Sequence, residues 1–285
     1  KSSSAANTAD RFAACSRTSD REIAMRYAGL VCLTLCVALN AAFITGAALA
    51  QEDVRLRRAR ELLSAGNLAA AARAYRSFVG SRPDAPEVEY AALRAAEISY
   101  VLEGPGALAE YRQFVRRFGY ADLDGRGRYG LAECLFAKGR WEEAGKAFGE
   151  TALVTTDPGS ALLPIARLRQ AWCAYRSGRV QEAEETFRTL ALVFDGAEVG
   201  SRAALGVAAC VMKREGPAAA EHYRAVEEAT RLGPIRNRAR LGRAAALVLS
   251  PESRDAGIRL LQSLETASDP RMRSAARFWF GRACL

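Results

Sequence analysis

One histidine occurs in 285 residues, His222. An imidazole-rich metal site and a Ser-His-Asp triad both call for more than this chain supplies. His222 sits in EHYRAV, inside a helical pattern, where a place on a helix surface is expected. Aromatic residues make up only 8% of the chain, and prolines number nine. Alternating Val/Ile/Thr runs, the mark of a strand with one buried face, are missing. After residue 50 the only lysines are Lys138, Lys146 and Lys213. No nucleophile elbow, phosphate-binding glycine loop or convergent acid–base pair can be picked out.

What the chain has instead is alanine and arginine. Half the residues are hydrophobic and 26% are charged, an ordinary foldable composition. Alanine-rich, proline-sparse sequence favours helices that pack closely together. The length admits either two domains or one extended repeat array. A net charge of +9 can signal nucleic acid or anionic lipid. The expectation here is arginine spread over solvated helix faces, with no nucleic-acid partner.

The front end reads as a targeting segment. Residues 1–24 are polar and patternless, and are expected to be a non-native or upstream translated segment, disordered and outside the fold. The first methionine is Met25, followed by Arg26 and an uncharged stretch from Tyr27 to Ala50. Ala48 and Ala50 flank Leu49 in the A-x-A pattern of signal-peptidase sites, and charge returns at Glu52 and Asp53. Residues 25–50 are therefore expected to be a Sec signal peptide cleaved after Ala50, giving a periplasmic protein from Gln51. The alternative is an inner-membrane anchor formed by residues 27–50, which are long enough to span a bilayer. Neither Cys32 nor Cys36 has the small residue before it that a lipoprotein signal needs.

Behind this segment the chain repeats itself. GRWEEAGKAF at 139–148 returns as GRVQEAEETF at 178–187. Ala144 and Ala183 align with Ala71, Ala107, Ala219 and Ala256, in steps of 36, 37, 39, 36 and 37 residues. Four positions after each comes a larger side chain: Tyr75, Tyr111, Phe148, Phe187, Tyr223 and Leu260. A period in this range marks a helical solenoid. Each unit predicts a first helix rich in small residues, a turn (SAGN, EGPG, AKGR, RSGR, REGP, LSPE), and a second helix with alanine and the larger residue on one face. Alanine lets the helices of a hairpin approach; the larger residue fills the space toward the next hairpin. No hairpin buries its apolar face alone, so neighbours must stack.

Residues 59–83 resemble the tetratricopeptide repeat family, with Ala59, Leu62, Gly66, Ala71, Tyr75, Phe78 and Pro83 at the family's spacing. Residues 131–148 and 170–187 are similar, keeping Leu131, Ala132, Gly139, Ala144 and Phe148, then Ala171, Gly178, Ala183 and Phe187. The second copy shortens its turn and the sixth puts Pro251 where the glycine belongs. The resemblance covers 51–285, read as six repeats plus the first helix of a truncated seventh, with Thr155–Pro164 as a longer connector. It implies an all-α fold, a right-handed α-solenoid of stacked helix-turn-helix units. The period and SRPDAPEVEYAALRAAEI look like repeats of bacterial periplasmic proteins of the Tol–Pal coordinator or β-barrel assembly type.

The resemblance also implies a groove lined by first helices that holds peptide segments of a partner. Carried over, it points to Arg126, Tyr129, Glu133 and Phe136 in the third unit, Leu168, Trp172, Tyr175 and Arg176 in the fourth, and Arg202, Leu205 and Met212 in the fifth. Trp172 and Tyr175, one turn apart, would face the same way, either into the groove or between repeats. Exposed aromatics beside arginine are what binding hot spots use. A second group, Arg236, Arg240 and Arg243, shares one helix face and is expected to be solvated, or else to meet an acidic partner or lipid headgroups. Cys134, Cys173 and Cys210 occupy one position of successive first helices, on the order of 10 Å apart for packed helices, beyond the roughly 7 Å a disulfide tolerates. Buried unbridged thiols are expected.

The closing SAARFWFGRACL reads as the first helix of that seventh unit without its partner, so the chain is expected to be a fragment at both ends. The function expected is a non-enzymatic periplasmic scaffold, without cofactor or metal, binding a protein or peptide partner of the cell envelope. The alternative is the N-terminal arm of a larger periplasmic enzyme such as a lytic transglycosylase. The sequence carries no signal for an oligomeric state.

Overall fold

The computed structural model describes residues 53–119, 123–155, 160–267 and 269–284. The leader at 25–50, the segment before it and part of the Thr155–Pro164 connector lie outside the described residues. The chain divides into two compact units, 1–58 and 59–285. In the first, the Arg57 N–H donates to the Asp53 carbonyl at 3.0 Å and opens a helix. The second holds the array, and every regular element among the described residues is helical.

The helices are α1 (Val54–Ser64), α2 (Leu68–Ser81), α3 (Val88–Glu103), α4 (Leu108–Phe118), α5 (Arg126–Ala137) and α6 (Trp141–Val154). There follow α7 (Leu162–Arg176), α8 (Val180–Val193), α9 (Glu198–Glu215), α10 (Ala219–Ala229), α11 (Gly233–Leu247), α12 (Arg254–Leu264) and α13 (Pro270–Ala283). Consecutive pairs from α3/α4 to α11/α12 are hairpins, each packing on the next. Ala59–Ser64 of α1 turns into α2 in the same way.

The repeated phrase is a turn with a position for every letter. Gly139 takes φ +76°, open to glycine at little cost. Its N–H bonds the Phe136 carbonyl at 3.0 Å, and the Arg140 N–H bonds the Leu135 carbonyl at 3.0 Å. This pair of bonds ends a helix on a left-handed residue. Arg140 also opens α6, its carbonyl accepting from the Ala144 N–H at 2.9 Å. One residue thus closes a helix and starts the next, while its guanidinium grips Glu143 in the first turn of α6. Gly66–Asn67 and Gly178–Arg179 make the same bonds. The GP turns differ: Gly104 and Gly216 each lead into a short 3-10 helix with proline near its start.

Packing follows the same arithmetic. Ala71, Ala107, Ala144, Ala183 and Ala219 are buried, and so are Tyr75, Tyr111, Phe148, Phe187 and Tyr223 four places on. Burying each such side chain stabilises the fold by roughly 1.5–3 kcal/mol. Three of these rings press on a glycine of the next first helix. A Cβ on Gly130 would stand 2.2 Å from the Tyr111 ring, on Gly206 2.6 Å from Phe187, and on Gly242 2.4 Å from Tyr223.

The sixth hairpin departs from the expected alignment. Gly257 and Leu261 hold the inward positions there, not Ala256 and Leu260, and Leu261 is fully buried. The cause is the glycine-free turn. Ser253 donates its hydroxyl to the Leu247 carbonyl at 2.7 Å, and this longer connection moves the register of α12 by one residue. Gly257 then lies against Val248 and the Ala244 carbonyl.

Cys134, Cys173 and Cys210 are buried and unbridged, as their spacing implied, while Cys284 is exposed. Burial pushes the three inner thiols up, to about 11, about 12 and about 11.

Candidate functional site

First helices α5, α7 and α9 carry the residues singled out from sequence, though not all of them on a surface. Arg126, Arg176 and Arg202 are exposed. Tyr129, Glu133, Phe136, Trp172, Tyr175 and Met212 are half-buried. Leu168 and Leu205 are corrections: at 4% and 9% exposure they belong to the core between hairpins and present nothing to a partner.

The helical spacing of Trp172 and Tyr175 does put them together, with ring centroids 5.5 Å apart and edge to face. Trp172 also packs on Phe187 at 5.0 Å, so both expected roles meet in one side chain. Its inner edge joins the hairpin core and the rest stays accessible. Tyr129 does the same against Phe148 at 5.4 Å.

The fourth and fifth hairpins each lend cations to aromatics of the hairpin before. The Arg169 guanidinium lies 5.2 Å from the Phe136 ring centre, and Arg176 lies 5.8 Å from Trp141. Lys213 stands 4.9 Å from Tyr175 and donates to its carbonyl at 3.3 Å. Partly desolvated cation–ring contacts of this kind are favourable by about 0.5–2 kcal/mol. They also hold ring faces and positive charge side by side on first helices α5, α7 and α9 and at the start of second helix α6.

Carboxylates complete the group. Arg126 reaches back to Glu97 of α3 at 2.5 Å. Glu133 receives Arg169 through Nε at 2.8 Å and Nη2 at 3.1 Å. Burial and the adjacent Glu133 push the Tyr129 phenol up to about 12, against the pull of Arg169. Arg202 pairs within its own helix with Glu198 at 2.5 Å.

Sequence reasoning missed Arg169, Lys213, Trp141 and Glu97. A signal was there: superposing repeats on their buried cysteines puts Arg169 where other first helices have Gly130 and Gly206. A long side chain at a position otherwise kept bare must travel sideways, and Arg169 travels to Glu133 and Phe136.

The arginine stripe of α11 is neither a bare solvated face nor a free basic patch. Arg236 donates to the Thr230 carbonyl at 2.8 Å, and Arg240 and Arg243 share Glu227 at 2.7 and 3.4 Å. Arg273 repeats the Arg236 bond one unit later, reaching the Ala267 carbonyl at 2.6 Å. His222 lies exposed on α10, where its pattern placed it.

Comparison with known proteins bears on the fold. Residues 104–161 and 166–194 match family models described as tetratricopeptide repeat. No curated protein matches the chain. Among solved structures, a tetratricopeptide repeat protein from Parabacteroides merdae ATCC 43184 superposes with a TM-score of 0.63 at 14% identity, over 80% of this chain and 90% of that one. The apo form of RapI superposes with a TM-score of 0.57 at 10% identity, over 86% of this chain and 80% of its own. With two stretches matching the repeat's sequence models, and hairpins that stack as in a solved protein of that kind, the chain carries tetratricopeptide repeats.

Proposed function

We propose that this chain is a non-enzymatic scaffold of the periplasm that holds a peptide segment or protein partner serving cell-envelope assembly or maintenance. The observation that carries the binding role is a group of half-exposed rings and cations on first helices α5, α7 and α9 and at the start of α6: Phe136 under Arg169, Trp141 under Arg176, and Trp172 with Tyr175 under Lys213. Rigid aromatics with flanking arginine are the side chains from which protein-binding hot spots are built. Export is supported by the sequence of 25–50, an apolar run ending in A-x-A just before charge returns.

Two measurements test this reading. Residues 51–285 are titrated with an array of envelope-protein peptides, following tryptophan fluorescence. Arg176→Glu and Lys213→Glu, both exposed, should weaken any peptide that binds by about tenfold or more. Unchanged affinity in both variants removes the first-helix face from consideration. For export, the tagged full chain is fractionated and its N-terminus read by mass spectrometry. A chain starting at Gln51 in the periplasmic fraction supports the reading, and a cytoplasmic chain retaining residues 25–50 overturns it.

A further inference from the structure

Between the second helices α4 and α6 runs a groove that one residue of the intervening first helix fills. Arg128 stands two residues before Gly130, and Arg240 two before Gly242. Arg128 donates to Glu150 of α6 at 2.7 Å and to the Gly119 carbonyl, just past α4, at 3.1 Å, leaving its side chain 10% exposed. Arg240 donates to Glu227 of α10 at 2.7 Å. Arg128 thus plugs its groove from within, whereas Arg240, 36% exposed, reaches only the preceding second helix, and Arg167 at the same position of α7 bonds Gln170 of its own helix.

In α9 the same position, two before Gly206, is Ala204. Nothing long rises from it, and the groove between α8 and α10 stays open. A cavity of about 600 Å³ is lined by Asp195, Glu198, Gly200, Ala204, Val226 and Thr230, among others. It runs on past Ala191, Ala204 and Val226 into a second of about 380 Å³. Volumes of roughly 300–1,000 Å³ are those of ordinary ligand pockets.

We propose that this groove takes an arginine side chain from a basic segment of a protein partner, in the place that Arg128 fills at its own junction. The floor of Ala191, Ala204 and Val226 suits the methylene stem. Of the two Arg128 acceptors, the Gly119 carbonyl has a counterpart here, while Ala225 stands in the place of Glu150. Asp195 follows Phe187 by eight residues, as Gly119 follows Tyr111, so its carbonyl holds the corresponding place. Its carboxylate makes no ion pair among the described residues and accepts only the Gly196 N–H at 2.9 Å. Glu198 adds a second carboxylate, shared with Arg202. Arg231 lines the same rim and Arg202 occupies Glu198, so among the described residues Asp195 is the lining carboxylate without an ion pair. The groove lies between second helices, so it stands or falls apart from the first-helix face.

The test is a methyl NMR titration of residues 51–285 with the blocked tripeptide acetyl-Gly-Arg-Gly-amide, and with its Glu counterpart. The arginine peptide should shift the Ala191, Ala204 and Val226 methyls saturably, and the glutamate peptide should not. Ala204→Arg supplies the plug from within and should abolish the shifts without lowering Tm. The exposed pair Asp195→Asn with Glu198→Gln keeps the fold and should weaken binding about tenfold. The absence of saturable shifts with the arginine peptide overturns the proposal. So do shifts that survive both variants, or binding by the glutamate peptide alone.

Discussion

Tyr223 and Gly242 are nineteen residues apart, and the ring of one fills the space where the other would carry a side chain: a Cβ on Gly242 would stand 2.4 Å from Tyr223 Cε1. Phe187 and Gly206, and Tyr111 and Gly130, have the same separation and the same contact. These glycines set how closely successive hairpins stack. Gly206→Ala and Gly242→Ala should each cost about 1–3 kcal/mol through overpacking. Gly80, in α2 with nothing within 4 Å of its Cβ position, is the control. Gly80→Ala should stabilise by about 0.5–1 kcal/mol. Chemical denaturation of the three variants reads both signs, and equal behaviour would refute the packing account.

The register of the sixth hairpin separates two neighbouring positions. Gly257→Ala pushes a methyl toward Val248 and the Ala244 carbonyl and should lower stability by about 1–3 kcal/mol. Ala256→Ser, one residue earlier and half-exposed, should stay within about 0.5 kcal/mol. The reverse order in thermal melts would restore the alignment read from sequence.

Alkaline pH should loosen the fold before it affects surface charge pairs. The Cys134, Cys173 and Cys210 thiols sit above their usual 9.0, at about 11, about 12 and about 11. Folded chains therefore keep protons that unfolded chains have lost, and stability falls as pH climbs. The contribution is whole below pH 9 and gone by the raised values near 11–12. Melts between pH 8 and 11 should show this decline, flattened in the triple Cys→Ala variant. At neutral pH only exposed Cys284 should react with a thiol reagent until the chain unfolds.

Two ion pairs of similar length should differ in weight. Glu184 is buried and takes Arg188 at 2.5 Å and, from α9, Arg214 at 2.6 Å. Arg214→Ala strips a charge-assisted contact between hairpins and should cost about 1–2 kcal/mol. Arg140 and Glu143 are half-exposed on one helix turn, and Glu143→Gln should cost less than about 0.5 kcal/mol. A double-mutant cycle on each pair checks the ranking.

Much of this architecture is legible in the sequence because it is local. The left-handed glycine, the residue shared by two helices and the alanine four places on all lie within ten residues, so they recur as a visible phrase. What lies between repeats is harder to read. Leu168 and Trp172 are i and i+4, on one helical face, and the sequence does not tell how far the next hairpin covers that face: it covers Leu168 and stops across Trp172. The α11 arginines looked like a stripe because their acceptors, Glu227 and the Thr230 carbonyl, belong to the preceding hairpin. In the sixth turn a serine takes the glycine's task by a different bond, and a count of alanines cannot register that change of length.

The turn at Gly139 and Arg140 leaves no slack between α5 and α6, and this bears on how the chain assembles in time. A connection without loose residues closes at small entropic cost, so each hairpin can form from its own segment and the array can lengthen by adding neighbours. Damage should travel the same way. A hairpin that opens releases only the junctions on either side of it, and hydrogen exchange should show protection failing in blocks of one unit, beginning with the sixth, whose turn lacks the glycine.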